Sequence, residues 1–377
     1  MNPAELDLED FLKDLEFLVN IDSGSADLDG VSAVAAFFEE EFTKLGWQVI
    51  RRDVGSNVGP CLEILSPGNR NDHDILLLGH MDTVFPKGTA AERPFHIEGN
   101  RAYGPGVMDM KSGDLFALYL ARLFHRTGEA TPSICLALNS HEEIGSEQSR
   151  GWIEDLARRS HHAFILEPGR ANGDLVFERK GTGRYCLNFH GKAAHSGVDP
   201  QNGASAINEL AHWVTELHKL TDFETGLTLN VGLISGGTSV NAIAESAEAE
   251  VDLRFVSQDQ AELVEVRIRE MAQHPFTPNV TVSVTGGVSR PPMNASDDAL
   301  VLCRKVDAIA AELGVRIGWQ KTGGGSDGNF TADVGIPTID GMGPVGGRAH
   351  SREEYLEVDS ICERFALLAG IVRALKA

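Results

Sequence analysis

The chain has 377 residues, 42% of them hydrophobic and 23% charged, with 40 glycines and 15 prolines, proportions that exclude a disordered or fibrous protein. Its 33 Lys and Arg against 55 Asp and Glu leave a net charge of −22, the wrong sign for gripping a nucleic-acid backbone or an anionic membrane. The five cysteines are odd in number, far apart and mostly set in apolar runs, so they read as buried free thiols and not as a disulfide framework or a zinc knuckle.

The amino terminus is acidic from Glu5 onward and lacks the basic start and apolar run of a secretory signal. No stretch approaches the roughly 18 apolar residues of a spanning helix, so a soluble, cytoplasmic protein is expected. Over residues 8–45 the apolar side chains recur at helical spacing, first Phe11, Leu15 and Leu18, then Val31, Val34, Ala35, Phe38, Phe42 and Leu45, and Gly46 stops the helix. Short apolar runs at 75–78, 134–138 and 163–166 then alternate with amphipathic segments at 115–124 and 152–156. That alternation predicts an α/β fold with a mixed, largely parallel sheet flanked by helices.

From about Gly181 the texture changes to half-buried strands at 185–190, 228–234, 247–255 and 280–285, separated by helical stretches at 204–220 and 260–272. Four strands and two helices of this kind can bury one sheet face under both helices. Residues 180–289 are therefore expected to form an inserted α+β domain, with 1–179 and 290–377 forming the main one. After residue 292 the α/β texture resumes, with a helix at 299–313, a strand at 337–339 and a closing helix at 360–375.

Five segments carry chemistry, each read as placing metal-type ligands after an apolar strand, where an open α/β sheet forms its ligand crevice, the fifth about ten residues after one ending at Ile339. They are Gly79-His80-Met81-Asp82, Gly104-Pro-Gly-Val-Met-Asp109, His141-Glu142-Glu143-Ile144, Glu167-Pro168-Gly169 and Ala349-His350-Ser351. Singly each is weak; a lone histidine at a strand end is more often a rim residue than a ligand. Together they offer the mixed imidazole and carboxylate set that suits zinc, cobalt or manganese, and two metals sharing one carboxylate need about five protein ligands. His80, Asp109, Glu143, Glu167 and His350 are that set. Asp82 is spaced to hold the other nitrogen of the His80 ring. Three carboxylates and a hydroxide would balance two divalent cations, which leaves Glu142 as a proton acceptor for metal-activated water. Which glutamate of the 142–143 pair reaches the metal is open at this level, because consecutive side chains point different ways.

These segments, with Gly323-Gly-Gly-Ser-Asp327, resemble the family of di-zinc exopeptidases and deacylases that contains acetylornithine deacetylase, succinyl-diaminopimelate desuccinylase, aminoacylase and bacterial glutamate carboxypeptidase. The resemblance runs over essentially the whole chain. It implies that Asp109 bridges two metals, that His80 and Glu167 complete one site and Glu143 and His350 the other, and that Glu142 is the general base. It also implies a cis peptide after Asp109. Met110 and Ser112 stand where many relatives carry Asp or Asn and Gly, and no role is expected of residue 110. In the segment Gly191-Lys-Ala-Ala-His195-Ser-Gly, the resemblance implies that His195 reaches from the inserted lid domain of one subunit of a homodimer into the active site of the other, where it stabilises an oxyanion. It marks Asn241 and Arg290 as substrate-binding, the arginine as a fork on a carboxylate, and Gly324, Gly325 and Ser326 as part of a substrate-contacting loop. That glycine run lacks the lysine of a P-loop, so no nucleotide is expected.

The segments 178–184, 191–197 and 290–292 resemble the glutamate carboxypeptidase branch. The implied activity is hydrolysis of the amide bond to a C-terminal, acidic amino acid in a small peptide or N-acyl amino acid, with two divalent ions, zinc foremost. An N-acyl-amino-acid deacylase or dipeptidase is the alternative within the same chemistry. A catalytically silent binding protein is a remote one, since neither Glu142 nor any ligand is missing.

Overall fold

The computed structural model describes residues 5–375; the first four residues of the acidic amino terminus and the last two of the chain lie outside that description. The helical periodicity over 8–45 resolves into two helices. Leu8–Val19 is capped by Asp7, whose carboxylate accepts the N–H of Glu9 and Asp10, and Leu28–Lys44 is capped by Asp27. The break between them leaves Ser23–Asp27 free to run beside Thr83, to which Gly24 is bridged in parallel.

The strands Gln48–Arg52, Cys61–Leu65, Ile134–Asn139, Ile75–His80, Ala163–Ile165 and Thr338–Ile339 lie in that order in one sheet. Its two outer pairings at the Gln48 end are antiparallel and the other three parallel, so the sheet is mixed. Ile75 and Leu77 face a core built from the first two helices, Lys111–Thr127, Asp297–Leu313 and Ser360–Ala374, whereas Leu76 and Leu78 pack with Ile153, Leu156 and Phe330 on the other side. Burial on both faces explains why these strands read as continuous apolar runs without alternation. A parallel strand ends where its neighbours end, so His80, Asn139 and Ile165 bring the segments that follow them to one edge.

One further small sheet was not expected from the sequence: His96–Glu98, Arg101–Tyr103, Tyr355–Glu357 and Gly346–Gly347 form four short antiparallel strands. Each has only two or three residues, too few to show a period.

The chain divides into two compact units, one made of 1–178, 293–322 and 326–377, the other of 179–292 with 323–325. The second unit holds an antiparallel sheet in the order Thr228–Gly236, Ser246–Phe255, Gly181–His190 and Thr281–Arg290. Helices Ala206–His218 and Gln258–Gln273 cover one face, burying Trp213, Leu217, Val264 and Ile268 against Tyr185, Leu187 and Phe189. The other face keeps the alternating exposed residues that the sequence displays.

Candidate metal centre

The first unit gathers seven of the residues singled out in the sequence. His80 closes its strand, and its ring Nδ1 lies 2.9 Å from the backbone carbonyl of Asp82, so Nδ1 carries the proton. The bare Nε2 then faces Oδ1 of Asp109 at 3.2 Å and Oε1 of Glu167 at 3.6 Å. The other oxygen of Asp109, Oδ2, lies 3.2 Å from Nε2 of His350, which is also 3.2 Å from Oε2 of Glu143. Asp109 therefore turns one oxygen to each imidazole. Ligand atoms of His80, Asp109 and Glu143 lie within 4.8 Å of one another, as do those of His80, Glu142 and Glu167.

A cation fits this arrangement. The Nε2 lone pair of His80 is buried with no hydrogen-bond partner and confronts two carboxylates, an opposition that only a proton or a metal relieves. The electrostatics of the site point the same way. Burial drives the His80 pKa down, yet the carboxylates of Asp109, Asp82 and Glu167 reverse this and raise it well above the usual value. Asp109 and Glu143 push His350 up to about 11. Burial raises Glu143 to about 6 and also raises Glu167, whereas Asp109, against the cost of its burial, is held far below the usual carboxylate range by both imidazoles. With no cation, the two rings have to supply the positive charge that four crowded carboxylates demand. Imidazole nitrogens and carboxylate oxygens are the donors of a divalent transition-metal pair.

Asp82 differs in detail from expectation. Its carboxylate is 3.5 Å from the His80 ring, and its shorter contact is with the hydroxyl of Ser25, at 2.6 Å. It also accepts the N–H of Glu142 at 3.1 Å and of Glu143 at 3.2 Å, so it orients the histidine through its carbonyl and the glutamate turn through its carboxylate. Met110 also departs from expectation, because its buried sulfur accepts the backbone N–H of His80 at 3.3 Å. The peptide between Asp109 and Met110 is cis.

Three supporting residues are not legible as such in the sequence. Glu354, almost wholly buried, accepts N–H bonds from Met108 at 2.9 Å and Asp109 at 3.1 Å on one oxygen and from Gly106 at 3.2 Å on the other. Lying four residues after His350, it fastens the loop of the shared aspartate to the segment of the second histidine. Asp327 accepts from Asn139 Nδ2 at 2.6 Å and Ser146 Oγ at 2.5 Å, pinning both ends of the turn that presents Glu142 and Glu143. Lys111, buried and lowered to about 8 by desolvation, donates to the carbonyls of Leu18, in the last turn of the first helix, and Ile21, just beyond it. Glu354 and Lys111 leave no local pattern, whereas Asp327 closes the glycine-rich motif, where nothing in the spacing gives it a role.

The remaining expected residues are distributed as follows. Ser326 belongs to the first unit, with its hydroxyl buried and donating to Asp340 at 2.5 Å. His195, Asn241, Arg290, Gly324 and Gly325 belong to the second. His195 is exposed, and its Nδ1 accepts the N–H of Gly197 at 3.1 Å and Val198 at 3.2 Å, which leaves the proton on Nε2 as an outward donor. Its neighbour Ser196 bonds the carbonyl of Asn241 at 3.0 Å, joining the two loops. Arg290 is buried, and Arg179 donates to the carbonyls of Gly324 and Gly325. His141, next to the glutamate pair, is buried.

Known proteins give the same picture. The model of peptidase family M20/M25/M40 matches residues 76–374. Carboxypeptidase G2 of Pseudomonas sp. (strain RS-16) is 32% identical over 97% of this chain and 89% of its own length. A succinyl-diaminopimelate desuccinylase of Methylorubrum populi is 28% identical over 89% of this chain and 91% of its own. The structure of aminopeptidase PepT from Bacillus cereus shares the fold with a TM-score of 0.81 at 22% identity, covering 99% of this chain and 100% of that one. By this match and the metal-ligand cluster it runs through, the chain belongs to peptidase family M20/M25/M40 and is a metal-dependent hydrolase of that family.

Proposed function

We propose that the protein is a metallo-exopeptidase of the glutamate carboxypeptidase type, releasing a C-terminal acidic amino acid from a small peptide or N-acyl amino acid. The observation that carries this reading is Asp109, whose two oxygens stand 3.2 Å from Nε2 of His80 and 3.2 Å from Nε2 of His350, the posture of a carboxylate shared by two cations. His80, Asp109 and Glu167 would hold one ion and Asp109, Glu143 and His350 the other. Zinc suits this donor set, as do cobalt and manganese. When bound, the pair supplies Lewis acidity to the scissile carbonyl and to the attacking water.

The chain's own groups do the rest. Glu142 takes the proton of the attacking water and returns it to the departing amine. Its carboxylate lies within 4.8 Å of ligand atoms of His80 and Glu167, and the Asp82 carboxylate fixes its backbone. His195 offers its Nε2–H to the developing oxyanion, acting from the partner subunit of a homodimer. The uncovered edge strand Thr228–Gly236, with Leu233 and Ile234 exposed, supports association through the inserted domain. Arg290 and Asn241 orient the substrate's free carboxylate, and the loop through Gly324, Gly325 and Ser326 contacts its backbone. The likeness to carboxypeptidase G2 over 97% of the chain favours the carboxypeptidase reading over an N-acyl-amino-acid deacylase or dipeptidase.

The test is a panel with C-terminal Glu, Asp, Ala or Leu behind one acyl group, assayed on zinc-loaded protein. Turnover should favour Glu and Asp. Equal rates across the panel, or faster cleavage of acetylated neutral amino acids than of any acidic substrate, would sink the proposal.

A further inference from the structure

Beside Glu143 the first unit contains a cavity of about 520 Å³ that the chemistry above leaves unused. We propose that it receives the acyl side of the substrate and selects an uncharged, apolar group there; this rests on the exopeptidase reading and extends it to the half of the substrate that is not released.

The cavity is built by the break between the first two helices. Ser25 donates its N–H to the carbonyl of Thr83 at 3.2 Å, and Thr83 donates to Ser23 at 2.9 Å, so the two segments run side by side. A Cβ on Gly24 would stand 2.4 Å from the carbonyl oxygen of Phe85, so a residue without a side chain is needed for this approach. The walls are Ala26, Val84, Phe85, Pro86 and Ile144. Val84 is 40% exposed and Ile144 64%, although every large residue of the nearby strand ends is buried. Single exposed aliphatics are ordinary, but two converging with Phe85 and Pro86 on one cavity make an apolar surface without an occupant.

Position and charge name the occupant. Glu143 lines the cavity and also stands 3.2 Å from His350, so the cavity adjoins the reacting centre. The cation at its rim, Lys87, is paired at 3.1 Å with Asp27, which lines the same cavity, so the two charges offset each other there. A released residue with a free carboxylate meets on these walls only a lysine already paired with Asp27. An acyl chain does find apolar contact, and longer chains bury more of Val84 and Ile144.

The experiment crosses three acyl groups, acetyl, hexanoyl and succinyl, with two released residues, Glu and Leu, and measures kcat/KM on the zinc-loaded protein. Hexanoyl substrates should exceed acetyl ones by about tenfold or more with either released residue, at the low end of what a methylene gains in an apolar pocket, and succinyl should fall below acetyl. Val84→Asp and Ile144→Ser, each checked for full metal content, should shrink the hexanoyl-to-acetyl ratio at least fivefold. A ratio near one in the unaltered protein, or a ratio untouched in both metal-loaded variants, overturns the assignment. If the acyl gradient holds while Glu and Leu are released equally, the cavity stands and the acidic preference falls; if Glu is preferred without a gradient, the reverse. No turnover of any of the six substrates refutes both.

Discussion

Replacing Glu354 by Gln isolates the contribution of a carboxylate that touches no metal-binding atom. In the native protein one oxygen of Glu354 receives two backbone N–H groups and the other receives that of Gly106 at 3.2 Å. The amide nitrogen of Gln would point a donor at the Gly106 donor and convert the other two bonds to neutral ones. A bond to a charged group contributes about 1.5–3 kcal/mol, so the loop Gly106–Asp109 loses restraint of that order. Expressed as metal binding, groups supporting a ligand from behind are worth about 10–100-fold, or about 1.4–2.8 kcal/mol, the same range. Zinc affinity measured against a competing chelator at pH 8 should therefore fall 10–100-fold in Glu354→Gln and further in Glu354→Ala, which leaves all three N–H groups buried without acceptors. The effect also has a pH signature. Burial, opposed by the Met108 N–H and aided by the charge of Asp109, pushes the Glu354 carboxyl up to about 7. Below that value the native side chain is itself neutral, and at pH 6 only about one in ten remains ionised. Affinity falls with acid in both proteins as ligands protonate, but the ratio between native and Gln variant should narrow from pH 8 to pH 6. Binding within threefold of native at pH 8, or a ratio that does not narrow, would refute the clamp.

Glu142→Gln keeps the shape of the side chain and removes its basicity, so turnover should drop about 10²–10⁴-fold while metal analysis still finds two ions per chain; near-normal turnover would exclude Glu142 as the base. If His195 acts across a dimer, mixing inactive His195→Ala with inactive Glu142→Gln subunits should restore part of the activity once exchange is verified by mass, and no recovery would place the whole site in one chain. At the end of the strand that carries His80, a Cβ on Gly79 would stand 2.1 Å from Oδ1 of Asp114, a buried carboxyl with neither oxygen hydrogen-bonded among the described residues. Gly79→Ala should cost about 1–3 kcal/mol, read as a lower thermal midpoint of the metal-free protein, and adding Asp114→Ala should recover much of it; an unchanged midpoint in the single variant would contradict the packing.

Three of the site residues that were legible in the sequence share one trait: His80, Glu143 and Glu167 are polar residues that close or closely follow strands buried on both faces, and that burial writes a continuous apolar run into the chain. A run such as Ile134–Asn139 announces both the strand and the point where its chemistry begins. Residues acting on backbone carry no such announcement. Glu354 binds N–H groups some 246 positions away, in a chain segment whose strands are three residues or fewer, and Asp327 reaches Asn139 across 188. Each is one of 55 acids in a chain of net charge −22, and composition assigns nearly all of them to a solvated surface. What separates them is desolvation, which only the fold creates: it is the burial of Glu354 that lifts its carboxyl to about 7, and the same burial that makes its three N–H bonds hard to replace with water. The ligands can therefore be read from the strands that end near them, but the groups holding those ligands in place become visible only when the chain is closed around them.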